Sequence, residues 1–501
     1  MAGRYEGRPK ERPKASGKSE SGIVAKSLRR GGRRNEAGEL CGIGSDPEGA
    51  KAARVCTELQ RGNMLQPSSW NVMSPELMKV ASRARNEPST RFHSLAHHID
   101  ETALERAFHE LRSDAAVGVD GVTKEMYGAK LEENLLDLHE RLLDKRYRHQ
   151  PIRRVNIPRD SGGTRPLGIS AFEDKFVQEA IREVLSTVYE ELFLPCSYGY
   201  RPGRRAHDAI YVLNETAMKG KANWILEADI RSFFDSVPHP RLMEMLRERV
   251  PDGSLLRLVG KCLHVGVLEG GALTVSEEDT PQGSVLSPLL ANIYLHHALN
   301  GWFEEMVKPR LRGKAEMARY ADDFVICIER EDDARRVFEV LPKRMDAFGL
   351  ALHPDKTRLI PYTRPSIHQR TGKGPGTFDF LGFTFFWKRT RTGWWANAVK
   401  TRSSRVVRAI QWIYGFCRRN RHWSVRDQHA GLVRQLRGHI NYFGVNGNSI
   451  SVQRVIRATE RCWLKWLRRR SQRHRLNWSR FKELLKRLPL PRARIVVRIW
   501  G

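Results

Sequence analysis

The stretch Ala318–Cys327 reads ARYADDFVIC and places two adjacent carboxylates, Asp322 and Asp323, inside an otherwise apolar run. Burial of a carboxylate without a partner is strongly unfavourable. The flanking segments EMAR and FVICIE predict two short strands, with the two acids at the turn between them. A carboxylate pair at such a turn is suited to a hard divalent cation, because Mg²⁺ takes oxygen ligands and needs few carboxylates.

A further carboxylate lies upstream, in the segment NWILEADIRSFFDSV at positions 223–237, which predicts a strand running into a helix. Asp229 ends this strand and precedes Asp322 by 93 positions. Two strands that end side by side in one sheet would bring the acids together as a site for two metal ions, one activating a hydroxyl and one stabilising a leaving oxygen. No Walker loop or Gly-rich kinase loop is present in the sequence, so ordinary NTPase chemistry is not expected.

Length and composition narrow the class of protein. The chain has 501 residues, 40% of them hydrophobic, which predicts about three domains with packed cores. No apolar run reaches the ~18 residues that a membrane span needs, and the N-terminus lacks the apolar core of a secretory signal. Seven scattered cysteines without a C-x-x-C motif indicate reduced thiols, so the predicted location is the cytoplasm, in a bacterium the cytosol or nucleoid.

The formal net charge of +30 is concentrated near the C-terminus. Positions 400–501 carry 26 Lys and Arg against three acidic residues, whereas positions 61–399 carry a net charge of only +2. Aromatic residues alternate with arginines there, as in CWLKWLRRRSQRHRLNW, which is typical of surfaces that bind phosphates and stack on unpaired bases. A solvated surface is the alternative, and Trp463 and Trp466, three positions apart, are predicted to be helical core.

Further patterns predict the organisation of the chain. Positions 1–60 are a predicted flexible basic arm, and helices begin after the candidate N-caps Ser74 and Asp100. A hairpin is predicted around the DSGG turn at positions 160–163, a long helix over positions 284–306, and further strands in FDFLGFTFFW and TGWWANAV. Beyond Lys400 the pattern is helical and basic.

Several segments together resemble a known family. YADD, at Tyr320–Asp323, resembles the signature of reverse transcriptases, and its neighbours follow in the family's order: IPRDSGGTRPLGIS, SYGYRPGRRAHDAI, ADIRSFFDSV, TPQGSVLSPLLANIYL, GLALHPDKTRL and FDFLGFTF. These resemble successive blocks of the group II intron-encoded reverse transcriptase/maturase family. AAVGVDGVT resembles that family's N-terminal extension, and LRGHINYF its maturase (thumb) region. The resemblance covers about positions 75–501.

The resemblance implies an α+β fold, a right-hand polymerase whose fingers and palm contain antiparallel sheet, followed by an α-helical thumb/maturase domain. Fingers and palm would occupy positions 75–387, the thumb (domain X) 388–470, and a basic DNA-binding tail 471–501. Many family members continue into an HNH endonuclease with Cys pairs and clustered His. The sequence lacks such a cluster, so no second-strand cleavage is expected.

The resemblance also implies roles for individual residues. Asp229 and Asp322 would bind two Mg²⁺ ions, with Mn²⁺ as a substitute, beside Asp323 and the Ile230 carbonyl. The implied nucleotide-binding residues are Arg159, Arg165, Phe234, Gln282 and Lys356. The implied primer grip is Phe380, Leu381, Gly382 and Phe383, and the implied nucleic-acid contacts are Arg437, Arg468, Arg469, Arg470 and Arg473.

Phe234 would be a steric gate against the 2′-hydroxyl, with an ordinary core phenylalanine as the alternative. Arg159 and Arg165 would clamp the triphosphate, with solvated hairpin charge as the alternative. The family usually has Lys where Arg159 stands and often a basic residue where Gly163 stands, which weakens the assignment of a finger-tip contact. Phe380 and Phe383 can equally be core residues.

The predicted function is therefore an RNA-directed DNA polymerase and maturase. It would bind group II intron RNA, assist splicing and copy the intron into cDNA at a target DNA during retrohoming, using an RNA template, a DNA primer and dNTPs. The alternatives are a splicing-only maturase, which decayed catalytic acids would favour, and a domesticated reverse transcriptase in phage defence or CRISPR adaptation. An RNA-dependent RNA polymerase is disfavoured by Phe234. The sequence leaves the oligomeric state open and predicts no membrane partner.

Overall fold

The structure is a computed structural model that describes residues 73–113, 115–158, 164–220, 222–269, 272–274, 283–368, 375–470 and 476–500. All of these residues belong to the compact unit Pro47–Gly501. The predicted basic arm at positions 1–60 lies outside the described residues.

Helices dominate the first half of the described chain, where the α-helices are α1 (Pro75–Asn86), α2 (Glu101–Glu110), α3 (Lys124–Gly128), α4 (Leu131–Leu143), α5 (Phe172–Tyr189), α6 (Ala206–Met218), α7 (Phe233–Ser236), α8 (His239–Arg249), α9 (Gly253–Leu263) and α10 (Ser287–Leu295). The predicted N-caps are confirmed. The Ser74 Oγ accepts from the Leu77 N–H at 3.3 Å, and the Asp100 carboxylate accepts from the Ala103 N–H at 2.7 Å.

The second half contains α11 (Glu331–Asp346), α12 (Ser403–Arg419), α13 (Val425–Phe443), α14 (Ser449–Arg468) and α15 (Trp478–Arg487). The long helix predicted over positions 284–306 is only partly α-helical. It is α-helical only to Leu295 and continues as π-helical turns over His296–Asn300 and Trp302–Val307. Such widened turns often occur near functional sites, and here the first one includes the buried Asn300.

The strands form three sheets. The first has the order β2-β1-β4-β5, from β1 (Ile152–Pro158), β2 (Thr164–Ile169), β4 (Val267–Glu269) and β5 (Ala272–Thr274). β1 and β2 pair antiparallel, as the predicted hairpin requires, whereas β1 and β4 pair parallel. The turn of that hairpin lies outside the described residues.

The central sheet has the order β6-β7-β3-β8, from β3 (Trp224–Asp229), β6 (Ala315–Tyr320), β7 (Asp323–Ile328) and β8 (Arg358–Pro361). The third has the order β11-β10-β9, from β9 (Phe378–Phe380), β10 (Phe383–Arg389) and β11 (Trp395–Thr401). All of their strand pairs are antiparallel. The chain is thus a mixed helix and sheet protein with small, mainly antiparallel sheets.

Apolar cores hold these elements together. Helices α5, α8, α9 and α10 share one core with one face of the central sheet, and α6 shares a second core with the other face and with the third sheet. Helices α12, α13, α14 and α15 contribute to a third core. Trp463 is fully buried there and Trp466 is 7% exposed, which confirms the prediction that both are core residues.

Among the described residues, no helix is long and apolar enough to cross a membrane. The five described cysteines are free thiols, in agreement with the reduced state predicted from their spacing.

Candidate active site

The central sheet brings the three predicted acids together at one edge. β3 and β7 are antiparallel, with Asp229 directly opposite Asp323. β6 and β7 form a hairpin in which Tyr320 pairs with Asp323, so Ala321 and Asp322 make the two-residue turn. Side chains directly opposite in an antiparallel pair have Cβ atoms about 5 Å apart. Two segments that are distant in sequence therefore meet as a carboxylate cluster.

The turn that carries Asp322 has an unusual backbone. Ala321 has φ of +58°, in the left-handed region that a residue with a Cβ rarely adopts. Gly199 packs directly behind the turn, since a Cβ at this position would lie 2.3 Å from the Ala321 nitrogen. Strain of this kind persists only where the surrounding structure enforces it, and it is common at functional sites.

A buried arginine supports the turn from below. Arg319 is fully buried, and its guanidinium donates to the Ala321 carbonyl at 2.9 Å. It also donates to Asn300 Oδ1 at 2.9 Å and to Asn292 Oδ1 at 3.0 Å. Burial lowers the pKa of Arg319 to about 10, so it is still charged at neutral pH. The backbone of the Asp322 turn is thereby fixed to the helical region behind the sheet.

Arg319 was not among the residues predicted from the sequence. It lies in the same apolar run as the two aspartates, so its burial was equally visible in the sequence. A charged residue inside a predicted buried strand needs partners whatever its sign.

Burial and the neighbouring carboxylates raise the affinity of Asp323 for a proton. The pKa of Asp323 is well above its ordinary value, first because the group is buried and then because Asp322, Asp229 and Glu227 are negatively charged. Lys356 acts in the opposite direction and donates a hydrogen bond to Asp229 Oδ2. The Lys356 side chain is 58% exposed, so it is a weak counterion for this cluster. Four carboxylates, those of Asp229, Asp322, Asp323 and Glu227, are thus gathered at this edge of the sheet.

This donor set fits a hard divalent cation. It consists of carboxylate oxygens, and the Ile230 carbonyl is adjacent. The backbone hydrogen bonds on either side of it use other carbonyls. The Asp229 carbonyl accepts from the His353 N–H at 2.8 Å, and the Ala351 carbonyl accepts from the Arg231 N–H at 2.8 Å. Within the described ranges, no three His, Cys, Asp or Glu side chains form a ready-made metal cluster. Mg²⁺ usually takes only one or two carboxylates and completes its shell with water and substrate phosphates, so the residues present suit it.

Comparison with known proteins agrees with this geometry. Residues 157–385 match the family model described as reverse transcriptase (RNA-dependent DNA polymerase). Protein YkfC of Escherichia coli strain K12 is 33% identical over 64% of this chain and 90% of its own length. The group II intron-encoded protein LtrA of Lactococcus lactis subsp. cremoris is 31% identical over 52% of this chain. The chain belongs to the group II intron-encoded reverse transcriptase/maturase family.

The other relatives are longer than the matched region. The chain spans 45% of the length of LtrA and 32% of the uncharacterized 91 kDa protein in the cob intron of Schizosaccharomyces pombe, to which it is 36% identical. The matched family region contains the central sheet and with it Asp229, Asp322 and Asp323. Reverse transcriptase is thus the activity class that the family membership supports.

Of the family's nucleotide-binding positions, only some lie in the described residues. Arg159 and Gln282 lie outside them, and Arg165 lies in β2 opposite Ile157. Phe233 is 2% exposed and belongs to the core, whereas Phe234 is half-buried and packs only at the margin of that core. Phe234 is therefore the ring of the pair that the core encloses less completely.

Gln178 organises the loop next to Gln282 and was not identified from the sequence. This fully buried side chain accepts from the Ser284 hydroxyl at 2.9 Å and from the Val285 N–H at 3.1 Å. Gly283 has φ of +116°, and a Cβ at this position would lie 2.4 Å from the Gly168 carbonyl oxygen. The loop is therefore held close against β2.

We predict that Gly283→Ala destabilises this loop by about 2 kcal/mol, because the new methyl group clashes with the β2 backbone and φ is unfavourable. The expected result in steady-state primer extension is a raised KM for dNTP, with a lowered midpoint of thermal unfolding. Gly260→Ala is the matched control, since a Cβ there meets no atom within 4 Å. Equal behaviour of the two variants would contradict the assigned packing.

The predicted primer grip is the β9–β10 hairpin. Phe380 and Phe383 are buried core residues, whereas Leu381 and Gly382 form the turn with φ of +50° and +79°. The Leu381 carbonyl accepts from the Tyr442 hydroxyl of α13 at 2.9 Å. The Gly382 carbonyl likewise accepts from the Arg402 N–H at 2.9 Å, so the hairpin turn is tied to the helical region that follows it.

The predicted nucleic-acid contacts that the structure describes lie on α13 and α14 or directly after α14. Arg473 lies outside the described residues, and the exposed ones are Arg437, Arg468, Arg469 and Arg470. Arg468 and Arg469 line a cleft of about 760 Å³ together with Arg461, Lys465 and the exposed Trp478. A cationic cleft with an exposed indole is suited to phosphates and unpaired bases.

Proposed function

We propose that the chain is an RNA-directed DNA polymerase that also serves as the maturase of a group II intron, and that it binds intron RNA, assists its splicing and copies it into cDNA. The observation that carries this proposal is the register of the central sheet, which sets Asp229 opposite Asp323 and beside the Asp322 turn. Membership of the family and the intron-encoded relatives support both activities.

The proposed chemistry is transfer of a nucleotidyl group to a primer 3′-hydroxyl. Asp229 and Asp322 would hold two Mg²⁺ ions, with Mn²⁺ as a substitute, assisted by Asp323 and the Ile230 carbonyl. When bound, the ions supply an activated hydroxyl and stabilisation of the leaving oxygen. The protein's contribution is positioning, since such reactions depend mainly on geometry and charge.

The residues around the acids have separate proposed roles in this reaction. Arg319 holds the turn that presents Asp322, through its bond to the Ala321 carbonyl. Lys356, which contacts Asp229 and is more than half exposed, would contact the triphosphate. Arg159, Arg165 and Gln282 would bind the rest of the nucleotide, because guanidinium groups match phosphate geometry.

The family's right-hand layout is proposed for the rest of the chain. The β2-β1-β4-β5 sheet would belong to the fingers, the central sheet to the palm and the β9–β10 turn to the primer grip, within positions 75–387. Helices α12, α13 and α14 would form the thumb at 388–470, followed by a DNA-binding tail at 471–501. The strongly basic surface of the thumb and tail supports contacts with intron RNA, template–primer and target DNA.

Phe234 is proposed to exclude ribonucleotides. We expect Phe234→Ala to increase incorporation of rNTP relative to dNTP by roughly 10²-fold, because removal of the ring opens space for a 2′-hydroxyl; a lost steric exclusion of ~3 kcal/mol corresponds to this factor. Single-nucleotide primer extension with both substrates measures the ratio. Phe234→Tyr keeps the ring and should keep the discrimination. An unchanged ratio in Phe234→Ala would exclude the gate role.

Primer extension by the purified chain, with oligo(dT) on poly(rA), dTTP and Mg²⁺, tests the polymerase proposal. Splicing of a precursor RNA that contains the cognate intron tests the maturase proposal separately. We expect DNA synthesis in the first assay and faster splicing in the second. A chain that speeds splicing but incorporates no nucleotide would contradict the polymerase proposal, and the reverse result would contradict the maturase proposal.

A further inference from the structure

A second basic groove lies away from the carboxylate cluster. It is formed by α8, α9, the segment 148–151 that leads into β1, and the segment 264–266 that leads into β4. Its volume is about 760 Å³, and Met243, Leu256 and Val265 contribute apolar surface to its lining. None of the described lining residues belongs to the central sheet, so the groove is separate from the candidate active site.

The groove carries a strong excess of positive charge. Arg148, Arg247, Arg257, Lys261 and His264 line it, and none of the described residues in its lining is Asp or Glu. Arg148 and Arg247 are exposed, so their guanidinium groups are accessible from solvent, and the His264 ring is exposed beside them.

Two acids that neighbour the lining residues in sequence contact groups outside the groove. The Asp252 carboxylate accepts from four backbone N–H groups, two at the start of α9 and two at residues 95 and 96. Glu248 lies on α8 and faces His297 at 4.0 Å. Within the described part of the chain, the guanidinium groups of Arg148, Arg247 and Arg257 make no ion pair. This absence of counterions distinguishes the groove from an ordinary salt-bridged surface.

Two residues inside the groove, Arg257 and Lys261, show the effect of this unpaired positive charge. The Nε of Arg257 is buried and has no hydrogen-bond partner among the described residues. Burial together with the positive charges of Arg257 and Arg148 lowers the pKa of Lys261, which donates to the Tyr147 carbonyl. An anion in the groove would supply the missing acceptor and relieve the repulsion among these cations.

We propose that this groove binds the phosphate backbone of a structured RNA, as a contact separate from the candidate active site. Several arginines around an open channel match consecutive phosphates, because each guanidinium offers a fork of donors to phosphate oxygens. RNA and DNA both carry phosphates along their backbones, so binding of the two polymers has to be compared. The inference does not depend on polymerase chemistry, so it can fail without affecting the proposed function.

The test uses the full chain with two paired neutralisations. Arg148→Gln with Arg257→Gln removes two charges from the groove. The control, Lys314→Gln with Lys343→Gln, removes two charges from exposed positions outside it. Binding of a long hairpin RNA and of a DNA duplex of the same sequence is measured across a range of salt concentrations. Primer extension on a short template–primer is measured in parallel.

For the groove variant we expect roughly tenfold weaker binding of the hairpin RNA, and a salt slope of log Kd lower in magnitude by about 2. The control variant should bind like wild type, and both should extend the short template–primer like wild type. Weaker binding of the RNA alone identifies RNA as the ligand, and equal weakening for the DNA duplex identifies any polynucleotide backbone. Unchanged RNA binding would overturn the proposal and leave an acidic protein as the candidate partner. An equal loss of primer extension on the short template–primer would also overturn it, since the groove would then take part in binding the polymerase substrate.

Discussion

Asp322→Asn is expected to reduce single-nucleotide incorporation by more than about 10³-fold. The substitution keeps the size of the side chain and removes the negative charge that the proposed metal site needs. Loss of roughly 4 kcal/mol of transition-state stabilisation corresponds to this factor. The rate is measured in a single turnover with saturating dNTP and Mg²⁺, so that the chemical step is observed directly.

Asp346→Asn is the matched control, because Asp346 is exposed near the end of α11. This variant should incorporate nucleotides like wild type. Splicing stimulated by the Asp322→Asn protein should be retained, since RNA binding is assigned to other surfaces. A polymerisation rate within tenfold of wild type in Asp322→Asn would remove this residue from the metal site.

Arg319→Met is expected to lower both stability and polymerisation. The replacement is of similar length but leaves four acceptors without their donor: the carbonyl of Ala321, the side-chain oxygens of Asn292 and Asn300, and the hydroxyl oxygen of Ser197. Each buried unsatisfied acceptor costs about 1–3 kcal/mol, so we expect at least ~3 kcal/mol lower free energy of unfolding. The Asp322 turn also loses its anchor, so kcat should fall more than KM rises.

Two variants separate positioning from folding. Arg319→Lys keeps the charge but lacks the planar fork, so it should recover stability more than kcat. Arg335→Met removes an exposed ion pair with Glu331 and should change stability by less than about 1 kcal/mol. A purely structural role for Arg319 would be indicated if folded Arg319→Met protein polymerised at the wild-type rate.

The carboxylate cluster was predictable because the signal for it, acids within apolar segments, lies in two short stretches of sequence. Two acids in an apolar run need a cation, and a strand that ends in Asp229 offers a further ligand. The pairing of β3 with β7 then followed from the requirement that the acids meet, and the register agrees. The caps at Ser74 and Asp100 and the buried tryptophans Trp463 and Trp466 of α14 were also predictable, because each depends on a short local pattern.

The support around the cluster was not predictable in this way. Arg319 lies in β6 but contacts Asn292 and Asn300 of the preceding helical region. Gln178 contacts Ser284, which is more than 100 positions away in sequence. Such partners are decided by tertiary packing, which periodicity and propensity do not encode. The π-helical turns after Leu295 were also missed, since an apolar run reads as regular helix.

The most direct test of the central claim counts metal ions. Mn²⁺ bound to the complex of protein, RNA template, chain-terminated DNA primer and incoming dNTP can be quantified by electron paramagnetic resonance at a fixed free concentration. The wild-type complex should hold two tightly bound ions beside the acids, and the complex of Asp229→Asn should hold fewer. The same number of ions in both complexes would contradict the account.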